Sequence, residues 1–404
     1  MQIIDVLVIG GGAAGFFTAI NVAKKHPKKS VVLVERGKEF LTKVRISGGG
    51  RCNVTHACFD PKELVHYYPR GEKELLGPFH QFACGDTMGW FEERGIELKI
   101  EDDGRIFPVT DSSQTIIDCF LREAKKYQVD FRKSYAVKNI TKANDVWQVE
   151  TNQGTLHAHK IVLTTGSNPK MWKLLETLGH SIVSAVPSLF TFNIKDPRIK
   201  DLLGIATPAH VKVVGTKLES NGPLLITHWG MSGPGILKLS AWGARILADR
   251  QYDFQIEVNW LDHILKDECL EMIKDFKIEF AKKTVQKSNP FTLPKRLWQR
   301  IVNASNIKEH TRWADINKQQ TEQLASQLTE AIFNVKGKST FKEEFVTAGG
   351  IDLKEVNFKT FESKKHNNLY FAGEILNIDA ITGGFNFQNA WTGSYIISET
   401  IFDL

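Results

Sequence analysis

The sequence predicts an α/β fold in which a largely parallel sheet is assembled from both ends of the chain, with a differently textured insert between them. Three observations predict it. Short, mostly apolar runs (Asp5–Ile9, Val31–Val34, Lys160–Leu163 and Leu369–Ala372) read as strands buried on both faces. Glycine turns follow the first and last of these runs, and each opens a helical stretch. Between about Pro187 and Lys336 the glycine content, charge and periodicity change.

Taken in order, Asp5–Ile9 is the first strand and Ala13–Lys25 a helix with small residues near its start. Pro27 lies just past its end and Val31–Val34 is the second strand, a βαβ unit of ordinary length. Leu41–Asn53 is rich in Gly, Ser and basic residues and reads as a loop. Residues 112–127 read as a helix with Ser112 or Ser113 as its cap. Val129–Ile140 and Val146–Thr151 read as strands, with Asn152–Gly154 as the turn after them. Lys160–Leu163 is another buried strand, ending in Thr164-Thr165-Gly166.

From Pro187 to Thr227 short β-like runs alternate with Gly and Pro. From Trp260 to Lys336 the chain is charged, glycine-poor and helical in period, with a break at Asn289–Pro294. Phe345–Gly350 reads as a strand and turn, Leu369–Ala372 as one more strand and Asn386–Ile397 as a final helix. The expected domains are therefore 1–187 with 337–404, an inserted β subdomain at 188–258 and an inserted helical subdomain at 259–336.

Composition narrows the class. With 42% hydrophobic and 24% charged residues and a mean hydropathy of −0.23, the chain can build a sizeable core and is not disordered. The apolar stretch Ile3–Ile9 is too short for a signal-peptide core or a membrane span, so a cytoplasmic protein without membrane partners is expected. Five cysteines, an odd number without a CxxC, argue against a disulfide framework or a dithiol redox centre, and no Cys/His set has zinc spacing. A net charge of +6 is compatible with an RNA partner without demanding one.

The strongest local signal is Gly10-Gly11-Gly12-Ala13-Ala14-Gly15, a GxGxxG between a strand and a helix. Gly10 permits the tight turn, Gly12 lets a pyrophosphate approach the backbone and Gly15 lets helix and strand pack closely. The helix N-terminus offers unpaired N–H groups to phosphates. The second strand ends in Glu35, followed by Arg36, where an acidic side chain can accept from ribose hydroxyls. A dinucleotide therefore binds here, in a Rossmann-like arrangement. At the other end, Gly373-Glu374 and then Gly383-Gly384-Phe385-Asn386-Phe387 form a second strand–turn–helix start. In large flavoproteins such a turn holds the ribityl chain and points a helix N-terminus at the flavin, which favours FAD. A third feature, Lys43 to Asn53, puts Lys43, Arg45 and Arg51 among Ser47, Gly48, Gly49 and Gly50, a composition suited to an anion cradle.

These motifs resemble the BaiN/RdsA-type bacterial FAD-dependent oxidoreductases, which include aminoacetone-oxidase-like and ribosomal RNA dihydrouridine synthase-like flavoproteins. The matching strings run almost end to end: Gly10–Gly15, Ile46–Thr55, Gly104–Pro108, Thr227–Leu237, Leu293–Leu297, Val346–Ile351 and Leu369–Trp391. The resemblance implies a two-dinucleotide-type FAD domain made by both chain ends. It also implies that Ser47, Gly49, Arg51 and Asn53 lie along the cofactor, that the backbone of Val137 meets the adenine, and that Thr165 and Gly166 form a crossover turn. One branch of the family reduces uridine to dihydrouridine in large-subunit ribosomal RNA, and another acts on steroid enones.

Either reaction sends hydride to one carbon and a proton to its neighbour, so a proton donor is needed. Cys52 is the first candidate and His228 the second; for each the alternative is a purely structural role. No second GxGxxG is visible, so either NADH or NADPH docks transiently as the electron donor or the donor is something else. Lys282, Lys283, Lys287, Lys295, Arg296 and Arg300, with Trp298 among them, read as a solvated helix face or, if the substrate is ribosomal RNA, as the region that grips its phosphates. The other readings that remain are an oxidase of a small amine or aminoketone, and an RNA-binding assembly factor with a structural flavin.

Overall fold

The computed structural model describes residues 3–339 and 346–403. It divides into two compact units, 1–186 with 346–404, and 187–345. The first is the α/β unit. Its sheet runs in the order Val356–Asn357, Glu362–Ser363, Leu369–Phe371, Gly154–Leu163, Ile4–Ile9, Val31–Val34, Asp130–Arg132. The last five of these are mutually parallel, with Val6 opposite Val31 and Leu7 opposite Ile161. The central strands are buried on both faces, which is why they read as unbroken apolar runs. Val137–Ala143 and Val146–Thr151 form an antiparallel extension on Gly154–Leu163.

The helices Ala13–Lys25 and Phe385–Thr400 pack together on this sheet, and Ser394 Oγ donates to Ala14 O at 2.9 Å. One core cluster thus includes Phe16 and Phe17 from the N-terminal helix and Trp391 and Ile396 from the C-terminal one. Sequence separation of nearly the whole chain is closed by this contact. The helix at Ser113–Lys126 starts on Ser112, whose side chain accepts from Gln114 N, as its sequence predicts.

Three expectations change. Leu41–Asn53 is not a plain loop: Thr42–Gly50 is helical, broken at Ser47 where ψ swings to 147°. Val129–Ile140 is two strands rather than one, with Ser134 at positive φ between them. The insert is one unit, not a β and a helical subdomain meeting at 258/259. Its seven-stranded antiparallel sheet includes Asp253–Asn259 paired with Ala331–Lys336, so the end of the helical stretch returns to the sheet. The nominal β part also holds the helices Pro234–Trp242 and Ala244–Asp249. Helices and strands share one core, with Ile256 and Phe333 beside Trp298 and Leu324. Val346–Ile351 is a strand, as expected; Phe345 lies outside the described residues. No helix among the described residues is long and apolar enough to cross a membrane.

Candidate cofactor site

At the N-terminal turn the glycines divide the work. Gly10 has φ +117°, and a Cβ there would sit 2.5 Å from Thr164 O. A Cβ on Gly15 would lie 1.9 Å from Gly10 O, so this residue is what lets the helix return against the strand. At Gly12 a Cβ would meet nothing within 4 Å. Gly12 is also the N-cap, without a capping side chain, and the first helical amide bonded is that of Phe16. The amides of Ala13, Ala14 and Gly15 therefore face an open volume at the positive end of a helix. Glu35 is half-buried beside it, its carboxylate accepting from Gly11 N at 2.8 Å and Gly37 N at 2.7 Å. Arg36 is exposed. The amide of Tyr135 donates to Glu35 O at 2.8 Å, which brings the segment leading to Val137 to the end of the second strand.

The crossover turn completes this wall. Thr164 Oγ1 donates to Gly10 O at 2.9 Å, Gly166 has φ +60°, and the buried Thr165 Oγ1 has no partner. A buried hydroxyl without a partner is costly, and its place beside the glycine turn is where a polar ligand would satisfy it. A Cβ on Gly166 would lie 3.7 Å from Glu374 Oε2, which pairs with Lys43 Nζ at 2.5 Å. Gly373, at φ +76°, sits between Ala14 and Ala390 and lets the two helix starts converge.

The C-terminal turn is built by contacts that the sequence reading missed. Gly384 (φ +92°) caps Phe385–Thr400, and a Cβ there would lie 2.6 Å from Thr55 O. Asn386 is occupied by the turn itself, its side chain bonding both N and O of Ala380. Phe385 stacks on Tyr67 at 4.3 Å and lies tilted against His56 at 4.5 Å, while Phe387 stacks on Trp391. His56 Nδ1 lies 3.1 Å from Gly383 O and so carries the proton of that bond. Burial lowers the His56 pKa, keeping the ring neutral. The fully buried Asp379 pairs in two-pronged fashion with Arg70. Neither residue carried a local signal, because their pairing spans more than three hundred residues.

The segment Lys43–Asn53 contributes differently from expectation. Ser47 Oγ donates to Val44 O, and Gly48, Gly49 and Gly50 all take positive φ. Gly49 faces open space. The Arg51 guanidinium, however, is committed to Glu101 at 2.5 Å and Asp111 at 3.4 Å, over the ring of Phe107. Asn53 is buried and accepts from Ile106 N. The exposed backbone of Gly48 and Gly49, rather than these side chains, is what can meet a ligand.

The first candidate acid is also corrected. Cys52 has φ +61°, no exposed surface and a place in the hydrophobic core, and burial pushes its thiol up to about 12. A side chain without surface cannot hand a proton to a substrate. His228 is exposed, on the turn between Glu219–Ile226 and Gly230–Ser232 of the inserted unit. Trp298, expected among the RNA contacts, is fully buried, its indole N–H donating to Val285 O at 2.9 Å.

The HI0933-like protein Rossmann domain matches residues 4–400. The chain belongs to the HI0933-like family. It is 28% identical, over 99% of its length and 98% of the other's, to a ribosomal RNA dihydrouridine synthase of Escherichia coli (strain K12). It is 25% identical, over 96% and 97%, to a 3-dehydro-bile acid delta(4,6)-reductase of Clostridium scindens. In fold it is similar to 3-ketosteroid delta1-dehydrogenase from Sterolibacterium denitrificans, with a TM-score of 0.51, 11% identity and 99% of each chain covered. This HI0933-like protein is an FAD-dependent oxidoreductase. Its residues fit that cofactor: two uncapped helix starts, an acid at the end of the second strand, an open volume over Gly12 and an unsatisfied hydroxyl at Thr165.

Proposed function

We propose that this enzyme takes electrons from NADH or NADPH and reduces an activated C=C bond, and that its substrate is uridine in large-subunit ribosomal RNA. The observation that carries the reading is an FAD cradle joined to full-length similarity with relatives named as a ribosomal RNA dihydrouridine synthase and a bile acid reductase. Uracil and a conjugated enone share one electronic feature, a carbon β to a carbonyl that accepts hydride.

Bound FAD would supply the hydride. The chain supplies the rest. The amides beyond Gly12 and the helix start hold phosphates, Glu35 accepts from ribose hydroxyls, and the exposed glycine backbone at Gly48–Gly49 lines the cofactor's path. The start of Phe385–Thr400 carries partial positive charge and favours negative charge placed against it. His56 and the Arg70–Asp379 pair hold that turn in place. The proton for the neighbouring carbon must come from an accessible group, which excludes Cys52; His228, the second candidate, is exposed on the inserted unit.

The test is mass analysis of ribosomal RNA from a strain lacking the gene. Loss of a dihydrouridine, restored by the intact gene, supports the substrate. An unchanged RNA overturns it, and peroxide release with aminoacetone would then favour the oxidase.

A further inference from the structure

Resting on the RNA reading above, we propose that the inserted unit carries a docking surface for single-stranded RNA, made of a basic strip on the helix Lys295–Ala304 and an exposed indole at Trp229. The helix is strongly two-faced: Leu297, Trp298, Ile301 and Val302 are buried, while Lys295 and Arg296 are exposed and Arg300 partly so. Arg296 is anchored by a carbonyl and keeps its charge uncompensated, while Arg300 shares an exposed carboxylate. Arg296 donates to the backbone carbonyl of Asp201, and Arg300 lies 3.7 Å from the exposed Asp201 carboxylate. Lys200 is exposed on the same loop. At the far end of the helix Gln286 donates to Asn303, bringing the exposed Lys287 alongside. Among the described residues Lys200, Lys287, Lys295 and Arg296 make no ion pair, and Arg300 pairs only with Asp201.

The loop carrying Asp201 leads directly to the indole. Gly204 N donates to Ile226 O and Ile226 N to Ile205 O, so the loop runs beside the strand that enters the turn Thr227–Gly230. That turn is tied down. Trp229 O accepts from Ile194 N at 2.8 Å, Thr227 N donates to Gly230 O at 2.8 Å, and a Cβ on Gly230 would lie 2.3 Å from Phe192 O. Yet the Trp229 residue is 56% exposed and Leu203 52%. A fixed backbone that leaves a large indole in water, linked to a cationic strip through the loop at 201–205, suits a ligand with both negative charge and unstacked rings. Phosphates lie on the strip while one base stacks on Trp229. Duplex RNA, with its bases inside, lacks the second half of this match. Trp298 cannot serve, being in the core.

The test uses the FAD-loaded protein and a fluorescein-labelled oligouridine of about 16 nucleotides, near the upper span of one single-strand site. The triple variant Lys295→Gln, Arg296→Gln, Arg300→Gln should bind more weakly. The slope of log affinity against log salt should flatten by about 2, since each single-strand phosphate contact contributes about 0.7. Trp229→Ala should lose about tenfold with the salt slope unchanged, and Trp229→Phe should recover most of it. Unchanged flavin content and melting temperature in the variants exclude misfolding. If the wild type binds and either variant binds as well as it does, the surface is wrong and the RNA reading stands. If the wild type does not bind RNA in low salt, both fall.

Discussion

Gly12 and Gly15 of the N-terminal turn should separate folding from cofactor binding. Gly12 sits at φ −91° and ψ −164°, a conformation open to any residue, and a Cβ there has no neighbour within 4 Å. Gly12→Ala should therefore leave the apoprotein as stable as wild type, or more stable by about 0.4–1 kcal/mol through the unfolded chain. The same methyl occupies the volume in which a pyrophosphate must approach the amides. Losing one charge-assisted hydrogen bond there costs about 1.5–3 kcal/mol, a 10- to 140-fold rise in the FAD Kd. Gly15→Ala is the contrast: its Cβ would fall 1.9 Å from Gly10 O, backbone that cannot rotate away. That should destabilise the apoprotein itself, at or above the about 1–3 kcal/mol typical of overpacking. Urea unfolding of apoprotein and flavin-fluorescence titration separate the two. Normal FAD affinity in Gly12→Ala would refute the cradle; an unfolded Gly12→Ala would refute the division of roles.

Other outcomes follow from single observations. Thr165→Val removes a buried hydroxyl that has no partner, so it should stabilise the apoprotein by about 1 kcal/mol in urea unfolding yet weaken FAD binding several-fold; weaker apoprotein with unchanged affinity would contradict it. Cys52→Ala should lower the melting temperature by a few degrees and leave single-turnover reduction of substrate within twofold of wild type, because the thiol is sealed in the core; a large loss of turnover with normal stability would restore it as the acid. Glu355 accepts from His180 at 2.8 Å and pairs with Lys365 at 2.7 Å, and its carboxyl, despite the opposing effect of burial, is held at about 2. A depressed carboxyl gives stability that is full above pH 4.5 and lost as pH falls towards 2. Glu355→Gln should therefore be less stable at pH 7 and lose less than wild type between pH 4.5 and 2 in thermal scans; an identical acid profile would exclude the pair as its source.

The parallel strands, the first helix, the Ser112 cap and both glycine turns were legible because each is a local pattern: buried apolar runs, a capping hydroxyl, glycines before a helix. What was not legible depends on pairing across the chain. Arg51 looked free in a glycine-rich stretch because Glu101 and Asp111 lie fifty and sixty residues away. The insert looked like two subdomains because the return of Ala331–Lys336 to Asp253–Asn259 has no local signature. Cys52 was singled out because its motif places it near the cofactor, whereas the fold seals it in the core at positive φ. Trp298 was the avoidable error. Leu297, Trp298, Ile301 and Val302 have the spacing of a buried helix face, which places the indole inward.

The most direct measurement is flavin content. The purified protein should be yellow and release one flavin per chain on denaturation, identified by mass as FAD, and apoprotein should rebind it with unit stoichiometry. A colourless protein that takes up no FAD would contradict the claim that the two chain ends form one cofactor site.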